Sequence, residues 1–228
     1  MTAIESFPSR EALADAAAAA LAEALAAPPG PRAIAVAGGS TPGPVYDRLA
    51  RRELAWDQTT VTLTDERWVD PASDDSNERL IRQRLLVEKA AAAAFLPLKG
   101  EGASAEADAE TAESHIGALL PFAVVLLGMG ADGHVASLFP GLPIPQGGLD
   151  LAGPRLCVGV DEAGLEPRVP RVSLTAHALT RTNLLLVLIT GEEKRALIER
   201  MDAHPGYAPP AATILRQERC PVRVLWAA

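Results

Sequence analysis

The sequence predicts one α/β domain over residues 1–228, built on a mostly parallel, doubly wound sheet. Short apolar runs rich in β-branched residues alternate along the chain with helical patterns, which is the order expected of repeated β-α-β units. The strongest run, at residues 184–189, is apolar at every position and is typical of a strand buried on both faces. A length of 228 residues also suits one domain with a single large core.

Each element is predicted from its own pattern. Strands are expected at residues 33–37, 60–64, 122–127, 156–160, 171–175, 184–190 and 222–226. Helices, with apolar residues three and four apart, are expected at residues 9–26, 43–53, 76–90, 105–119, 191–201 and 210–217. The segment 140–153, rich in Pro and Gly, is predicted to be a surface excursion. Sheets of this kind bind ligands at the carboxyl ends of their strands, so the loops there are candidate sites.

Composition and charge exclude several classes of protein. Charged residues make up 22% of the chain, and no apolar run approaches the roughly 18 to 20 residues of a membrane span, so we expect a soluble protein without a membrane partner. A net charge of −8 without a Lys/Arg run disfavours nucleic-acid binding. The start of the chain lacks signal-peptide character, and Cys157 and Cys220 suggest neither a disulfide framework nor a metal cluster, which favours the cytoplasm. We expect a monomer or a weak homodimer.

The first candidate loop follows the predicted strand 33–37. Gly38 and Gly39 let backbone N–H groups approach an anion. Thr41 is predicted to be an N-cap and Pro42 to take the first helical position, which would place a phosphate cradle at a helix N-terminus. A tight strand-to-helix turn without a ligand explains the same residues equally well. The spacing matches neither a P-loop nor a dinucleotide fingerprint, so nucleotide binding is disfavoured.

The second candidate loop places charged side chains at the end of the predicted strand 60–64. It begins with Asp65 and Glu66, and a solvated charged turn is the favoured interpretation of Glu66. The guanidinium of Arg67 offers a planar fork of donors for a phosphate or a developing oxyanion. Ser76 is predicted to cap the next helix rather than to act as a catalytic serine.

The third candidate loop carries the most specific signal. Gly128, Gly130 and Gly133 free the backbone to bring Asp132 and His134 around one point. An imidazole has an ordinary pKa of about 6.5 and is mostly neutral at pH 7, which suits a general base that contributes about 10² to 10⁴ in rate. A Gly-rich setting at a strand end favours this role for His134 over a purely structural one. The other histidines are predicted to lie on the surface or at a helix start: His115, His204 and His177.

A small cationic cluster is expected at the same edge of the sheet. Arg171 opens the predicted strand 171–175, and Lys194 lies in the first turn of the helix after the strongest strand. With Arg67 they are candidate ligands for one anionic metabolite. A local charged hydrogen bond is worth about 1.5 to 3 kcal/mol, whereas a remote acidic surface is screened beyond roughly 8 to 10 Å. Each of the three could instead be an ordinary surface residue.

Taken together, these segments resemble the 6-phosphogluconolactonase family, within a larger group that contains glucosamine-6-phosphate deaminase and ribose-5-phosphate isomerase. The resemblance covers nearly the whole chain and rests mainly on residues 128–140, GMGADGHVASLFP. Weaker support comes from residues 37–42, 65–69, 76–77, 170–173 and 191–194. The resemblance implies a single domain of the sugar-phosphate isomerase type, a modified Rossmann fold.

The resemblance also implies an activity, which is hydrolysis of 6-phospho-D-glucono-1,5-lactone in the oxidative pentose phosphate pathway without a metal or an organic cofactor. It gives catalytic roles to His134 as the base, to Asp132 as the support of the imidazole and to Arg67 as an oxyanion ligand. The implied substrate-binding residues are Gly38, Gly39, Ser40, Thr41, Asp65, Arg171 and Lys194. The division of phosphate and oxyanion duties among the cations stays open.

Two positions favour a lactonase over a deaminase. Deaminases usually carry a glutamate where this chain has Phe139 and a tyrosine where it has Arg67. Val135 departs from the usual threonine, which we expect to alter packing more than mechanism. Two alternatives stay open: an isomerase or deaminase in which Asp65 moves a proton between carbons, and a non-catalytic sugar-phosphate sensor, which would normally add a helix-turn-helix.

Overall fold

The computed structural model describes residues 2–27, 30 and 32–228. Its strands are β1 (Ile4–Ser6), β2 (Arg32–Val36), β3 (Thr59–Leu63), β4 (Asp65–Arg67), β5 (Ala94–Phe95), β6 (Val124–Gly128), β7 (Cys157–Val160), β8 (Arg171–Leu174), β9 (Leu185–Thr190) and β10 (Val222–Ala227). Its α-helices are α1 (Arg10–Ala26), α2 (Gly43–Leu49), α3 (Asn77–Arg84), α4 (Ala105–Leu119), α5 (Ala176–Thr180), α6 (Glu192–Ala203) and α7 (Pro210–Arg216). Short 3-10 helices cover Trp56–Gln58 and Glu88–Ala92.

The central sheet contains seven strands of the described chain, in the order β1-β10-β9-β6-β2-β3-β5, and all of its pairings are parallel. The predicted α/β class and parallel sheet are therefore confirmed. Every residue of β9 except Thr190 is buried, as its apolar run predicts. β1 and β5 were not predicted, because three and two residues are too few to show a pattern. Since the strands run in one direction, their carboxyl ends share one edge.

A second sheet is antiparallel and has the order β4-β8-β7. The predicted strands at residues 156–160 and 171–175 exist, but they form this separate sheet and do not extend the parallel one. β4 was expected to be a loop. It follows β3 after Thr64 alone, so the chain leaves the central sheet and continues directly into a pairing with β8.

Helix α3 begins as predicted and ends early. The hydroxyl of Ser76 accepts a hydrogen bond from the backbone N–H of Arg79, which confirms the predicted N-cap. The predicted helix at residues 76–90 stops at Arg84, because Val87 is extended and Glu88 has a φ of 51°. The remaining residues form a 3-10 turn.

Helix α2 is shorter than predicted and starts differently. The prediction that Thr41 is the N-cap and Pro42 the first helical residue is wrong, because Pro42 itself occupies the cap position. The carbonyl oxygen of Pro42 accepts from the N–H groups of Val45 and Tyr46, and no side chain of the described residues caps the helix. The helix ends at Leu49 rather than near residue 53.

One large apolar core lies between the central sheet and its helices. The Ala-rich helix α1 contributes small buried side chains such as Ala17 and Ala18, with Leu21 and Leu25 along the same face. A smaller cluster packs on β7 and contains Leu138, Phe139, Val158 and Val160. In the part of the chain that the structure describes, no helix has the length and apolarity needed to cross a membrane.

Gly159 provides a test of how α4 packs on β7. A Cβ at this position would lie 2.4 Å from the backbone nitrogen of Glu106 and 2.6 Å from its Cα. We expect Gly159→Ala to lower the free energy of unfolding by about 1 to 3 kcal/mol, since the helix must move away from the strand. Urea denaturation measures the change. Gly206→Ala is the matched control because no atom lies near its Cβ, and equal midpoints for the two variants would contradict the packing.

Candidate active site

A cavity of about 720 Å³ lies at the carboxyl edge of the central sheet, where the antiparallel sheet meets it. Strands β2 and β6 are neighbours in the central sheet, and both end at this cavity. The next strand of this sheet after β2 is β3, on one side of the pair, and the next after β6 is β9, on the other side. Such a switch in strand order leaves a crevice between the two loops. Every site residue predicted from the sequence lines this cavity: Gly38, Gly39, Ser40, Thr41, Asp65, Arg67, Asp132, His134, Arg171 and Lys194.

The loop after β6 holds His134 against Asp132. Oδ1 of Asp132 lies 2.6 Å from Nδ1 of the imidazole and also accepts the backbone N–H of His134 at 3.0 Å. A carboxylate at Nδ1 favours the tautomer that carries its proton there, which leaves Nε2 able to accept one. Among the described residues, no protein group bonds to Nε2. The pair therefore has the arrangement of a base and its orienting group.

Glycine is required beside this pair. A Cβ on Gly130 would lie 2.0 Å from Nδ1 of His134 and 2.4 Å from Oδ1 of Asp132. Gly133 has a φ of 88°, which a side chain would strain. The predicted role of these two glycines in bringing Asp132 and His134 together is consistent with this geometry. Gly128 differs, since a Cβ there would meet no atom within 4 Å.

Phe139 packs against the imidazole. The two ring centroids are 4.9 Å apart with an interplanar angle of 44°. The guanidinium carbon of Arg171 lies 5.4 Å from the centroid of the same phenyl ring. Phe139 is 2% exposed and is anchored in the cluster on β7. One apolar ring thus contacts both His134 and Arg171, a packing role that the sequence did not reveal.

Arg67 and Arg171 face each other across β4 and β8. Nη1 of Arg67 donates to the carbonyl oxygen of Asp75, and Nη2 of Arg171 donates to those of Leu165 and Pro167. Within the described residues, the Nε atoms of both arginines are buried without a partner. Burial lowers the pKa of Arg171 from its ordinary value. Two neighbouring cations with unused donors create a strong preference for a bound anion.

Lys194 adds a third cation to the cavity. It lies in the first turn of α6, as predicted, after Gly191 with a φ of 87°. Burial lowers the pKa of its ammonium group, and the charges of Glu193 and Asp132 partly oppose the shift. The predicted cationic cluster of Arg67, Arg171 and Lys194 is therefore gathered in one place.

The loop after β2 forms the opposite wall. A Cβ on Gly38 would overlap Oδ1 of Asn77 and displace this buried amide, and Gly39 has a φ of 93°, which a side chain would strain. Asn77 itself lines the cavity and donates from Nδ2 to the backbone oxygen of Asp65 at 2.8 Å. The sequence places this asparagine at a predicted helix start and within the resembling segment 76–77, but does not predict a place for it in the site. Its position in that segment is the signal that could have identified it.

The interpretation of Glu66 as a solvated turn is wrong. Its side chain is 2% exposed and lies outside the cavity, where its carboxylate accepts the backbone N–H groups of Arg67, Asn77 and Glu78 and the hydroxyl of Ser76. Burial raises the pKa of Glu66, and these hydrogen bonds oppose the rise. Glu66 fixes the start of α3 to β4.

Two further residues lie at the cavity wall and come from the segment between β7 and β8. Leu165, which is 45% exposed, and Glu166 line the cavity, whereas no residue of the segment 140–153 does. Among the described residues, no cluster of three His, Cys, Asp or Glu side chains could hold a metal ion.

Fold and site together define the class: an α/β protein with a histidine–aspartate pair and, in the same cavity, three cations that can bind an anionic small molecule. The chain matches the family described as "Glucosamine-6-phosphate isomerases/6-phosphogluconolactonase" over residues 8–226. It therefore belongs to the glucosamine-6-phosphate isomerase/6-phosphogluconolactonase family, and the resemblance inferred from the motifs is confirmed.

Individual relatives agree with this assignment. A 6-phosphogluconolactonase of Caulobacter vibrioides is 50% identical over 227 residues, which cover 98% of this chain and 97% of that protein. A 6-phosphogluconolactonase of Rhizobium meliloti is 41% identical over 219 residues, or 95% of this chain and 93% of that one. The crystal structure of a 6-phosphogluconolactonase from Shewanella baltica superposes with a TM-score of 0.86 at 31% identity, covering 100% and 98% of the two chains.

The glycine at position 130 tests the geometry of the histidine–aspartate pair. We expect Gly130→Ala to displace the imidazole of His134 and to lower kcat for lactone hydrolysis by at least about tenfold. Misplacement of a reacting group by roughly 1 Å can lower a reaction rate by about 100-fold. Gly206→Ala is the matched control, since it adds the same methyl group outside the cavity, where none of the described residues has an atom within 4 Å. Steady-state kinetics of both variants, with circular dichroism to verify folding, make the comparison. Equal kcat values would contradict the role of Gly130.

Proposed function

We propose that this protein is a 6-phosphogluconolactonase, which hydrolyses 6-phospho-D-glucono-1,5-lactone to 6-phospho-D-gluconate in the oxidative pentose phosphate pathway. The observation that carries the proposal is that a histidine with a free Nε2 shares one cavity with two arginines whose Nε atoms lack partners among the described residues. The first group suits activation of water, and the second suits a phosphate-bearing substrate. The names of the closely similar relatives support the same reaction.

The proposed chemistry begins at Nε2 of His134. This nitrogen removes a proton from water while the water oxygen bonds to the lactone carbonyl carbon. The tetrahedral intermediate then breaks its bond to the ring oxygen, and the imidazolium returns the proton to that oxygen. Asp132, bound at Nδ1, holds the ring in the required tautomer and stabilises its positive charge. Water and lactone become one carboxylic acid, and no electron acceptor is involved.

Anionic groups of the substrate need separate ligands. In this proposal Arg67 and the backbone N–H groups at Gly38 and Gly39 stabilise the oxyanion of the intermediate. Arg171 and Lys194 bind the phosphate, with Ser40 and Thr41 available to the phosphate and the sugar hydroxyls. Arginine suits a phosphate because its planar fork can donate two parallel hydrogen bonds.

The test of the base is His134→Ala in a coupled assay. Glucose-6-phosphate dehydrogenase generates the lactone, and its disappearance is followed with and without the protein. We expect kcat to fall by about 10² to 10⁴, which is the usual contribution of a general base. His115→Ala, at an exposed position on α4, is the control and should keep wild-type turnover. Wild-type turnover in His134→Ala would overturn the assignment of the base.

The phosphate ligand is tested by Arg171→Lys, which keeps the charge and removes the fork. We expect KM for the lactone to rise by about tenfold or more with a smaller change in kcat, because a charged hydrogen bond is lost on substrate binding. Arg168→Lys on the neighbouring segment is the control, since the Arg168 side chain is 76% exposed. An unchanged KM in Arg171→Lys would contradict phosphate binding by Arg171.

The same preparations address the nearest alternative reaction. Incubation with glucosamine 6-phosphate and a measurement of released ammonia would reveal a deaminase. We expect no release, because the side chain packed on His134 is the apolar ring of Phe139, where the resemblance to deaminases would require an acid. Ammonia release without lactone hydrolysis would favour a deaminase in which Asp65 moves the proton.

A further inference from the structure

The antiparallel sheet presents two pairs of side chains on one face. In the register of β4 and β8, Asp65 lies opposite Ser173, and Arg67 lies opposite Arg171. Residues two apart on a strand share a face, and so do residues directly opposite each other on paired strands. The arginine pair and the Asp65–Ser173 pair are therefore neighbours on the same face of this sheet. Their spacing is fixed by the strands.

Ser137 connects this face to the loop that carries His134. Its Oγ donates to Oδ2 of Asp65 at 2.6 Å, and its backbone N–H donates to Oγ of Ser173 at 3.1 Å. Ser137 and Ser173 are fully buried and Asp65 is 7% exposed. We call these two hydrogen bonds the Ser137 clamp. The clamp joins the loop after β6 to both strands of the arginine pair, three residues after His134.

The backbone between His134 and the clamp has an unusual conformation. Val135 and Leu138 exchange backbone hydrogen bonds of 3.4 and 2.9 Å, which closes a tight turn. Ala136 within this turn has a φ of 48°, a region that residues other than glycine seldom occupy. Such a conformation persists where the surroundings hold it. The clamp supplies that restraint immediately beside Ala136.

The carboxylate of Asp65 is engaged within the protein. Its Oδ1 accepts the hydroxyl of Thr64 at 3.2 Å, and its Oδ2 accepts that of Ser137. Asp65 was predicted to contact the substrate or, in the alternative reaction, to move a proton. Its contacts match a residue that also acts through its neighbours. The carboxylate links the end of β3 to the histidine loop.

We propose that Ser137 and Asp65 are positioning residues, and that the Ser137 clamp sets the distance between His134 and the arginine pair. The inference rests on the proposed lactonase activity, in which one substrate contacts the base and the cations at the same time. A substrate whose phosphate is held by Arg171 then places its carbonyl group between His134 and Arg67 only if this distance is fixed. A displacement of the carbonyl group by about 1 Å can reduce turnover by about 100-fold.

Ser137→Ala tests the clamp with purified full-length protein and the coupled lactone assay. We expect kcat to fall by about 10- to 100-fold while KM changes by no more than about twofold, because Arg171 and Lys194 still bind the phosphate. We also expect no additional loss when Ser137→Ala is combined with His134→Ala, since the clamp acts through the imidazole. General destabilisation would lower the melting temperature and would reduce kcat equally with and without His134. The non-additive loss of kcat therefore distinguishes positioning from destabilisation.

Thr180→Val is the matched control. Its hydroxyl is buried like that of Ser137 but donates to the carbonyl oxygen of Ala176 within α5, away from the cavity. This variant should lose thermal stability and keep kcat. A wild-type kcat in Ser137→Ala would contradict the proposed role of the Ser137 clamp. An equal loss of kcat in the presence and absence of His134 would contradict it as well. Absence of lactone hydrolysis by the wild type would instead overturn the proposed function.

A second variant keeps the inference testable if Ser137→Ala does not fold. Ser173→Ala removes the acceptor of the Ser137 backbone N–H and leaves the bond to Asp65 in place. We expect kcat to fall severalfold, again with KM within about twofold of the wild type. A wild-type kcat in the folded Ser173→Ala protein would contradict the clamp.

Discussion

Repulsion between two neighbouring arginines is the constraint around which the site is built. Arg67 and Arg171 lie opposite each other on paired strands, and within the described chain the Nε atoms of both are buried without partners. Like charges at this spacing oppose each other, and burial removes the water that would solvate them. The carboxylate of Asp65 on the same face favours the charged form of Arg171. The wall formed by the two arginines therefore favours a bound anion.

The three consecutive charged side chains of β4 point alternately to opposite faces of the strand. Asp65 and Arg67 face the cavity, whereas Glu66 between them points to the start of α3 and accepts three hydrogen bonds there. This alternation follows from the two-residue period of a strand. Glu66 therefore bonds to the start of α3, Asp65 bonds to the histidine loop, and Arg67 lines the cavity. A loop at this place would not impose these opposite directions.

Much of the fold and site follows from the sequence. The long apolar strands and the parallel sheet were predicted from periodicity, and the site residues from the rule that ligands bind at the carboxyl ends of strands. β4 was missed because three charged residues have no apolar pattern, and Glu66 because its partners are backbone groups that only the fold brings near. The N-cap at Thr41 was wrong since Pro42 closes that turn through its own carbonyl group. Tertiary contacts decided the first two cases, and local backbone hydrogen bonds decided the third.

The packing of Phe139 has a consequence for how this protein can change. The same ring touches the imidazole of His134 and the guanidinium of Arg171, and it is rooted in the small core on β7. A different side chain at position 139 would shift both groups in one mutational step. In the proposed reaction, selection on turnover at this position is then also selection on substrate affinity, and one substitution there changes both properties.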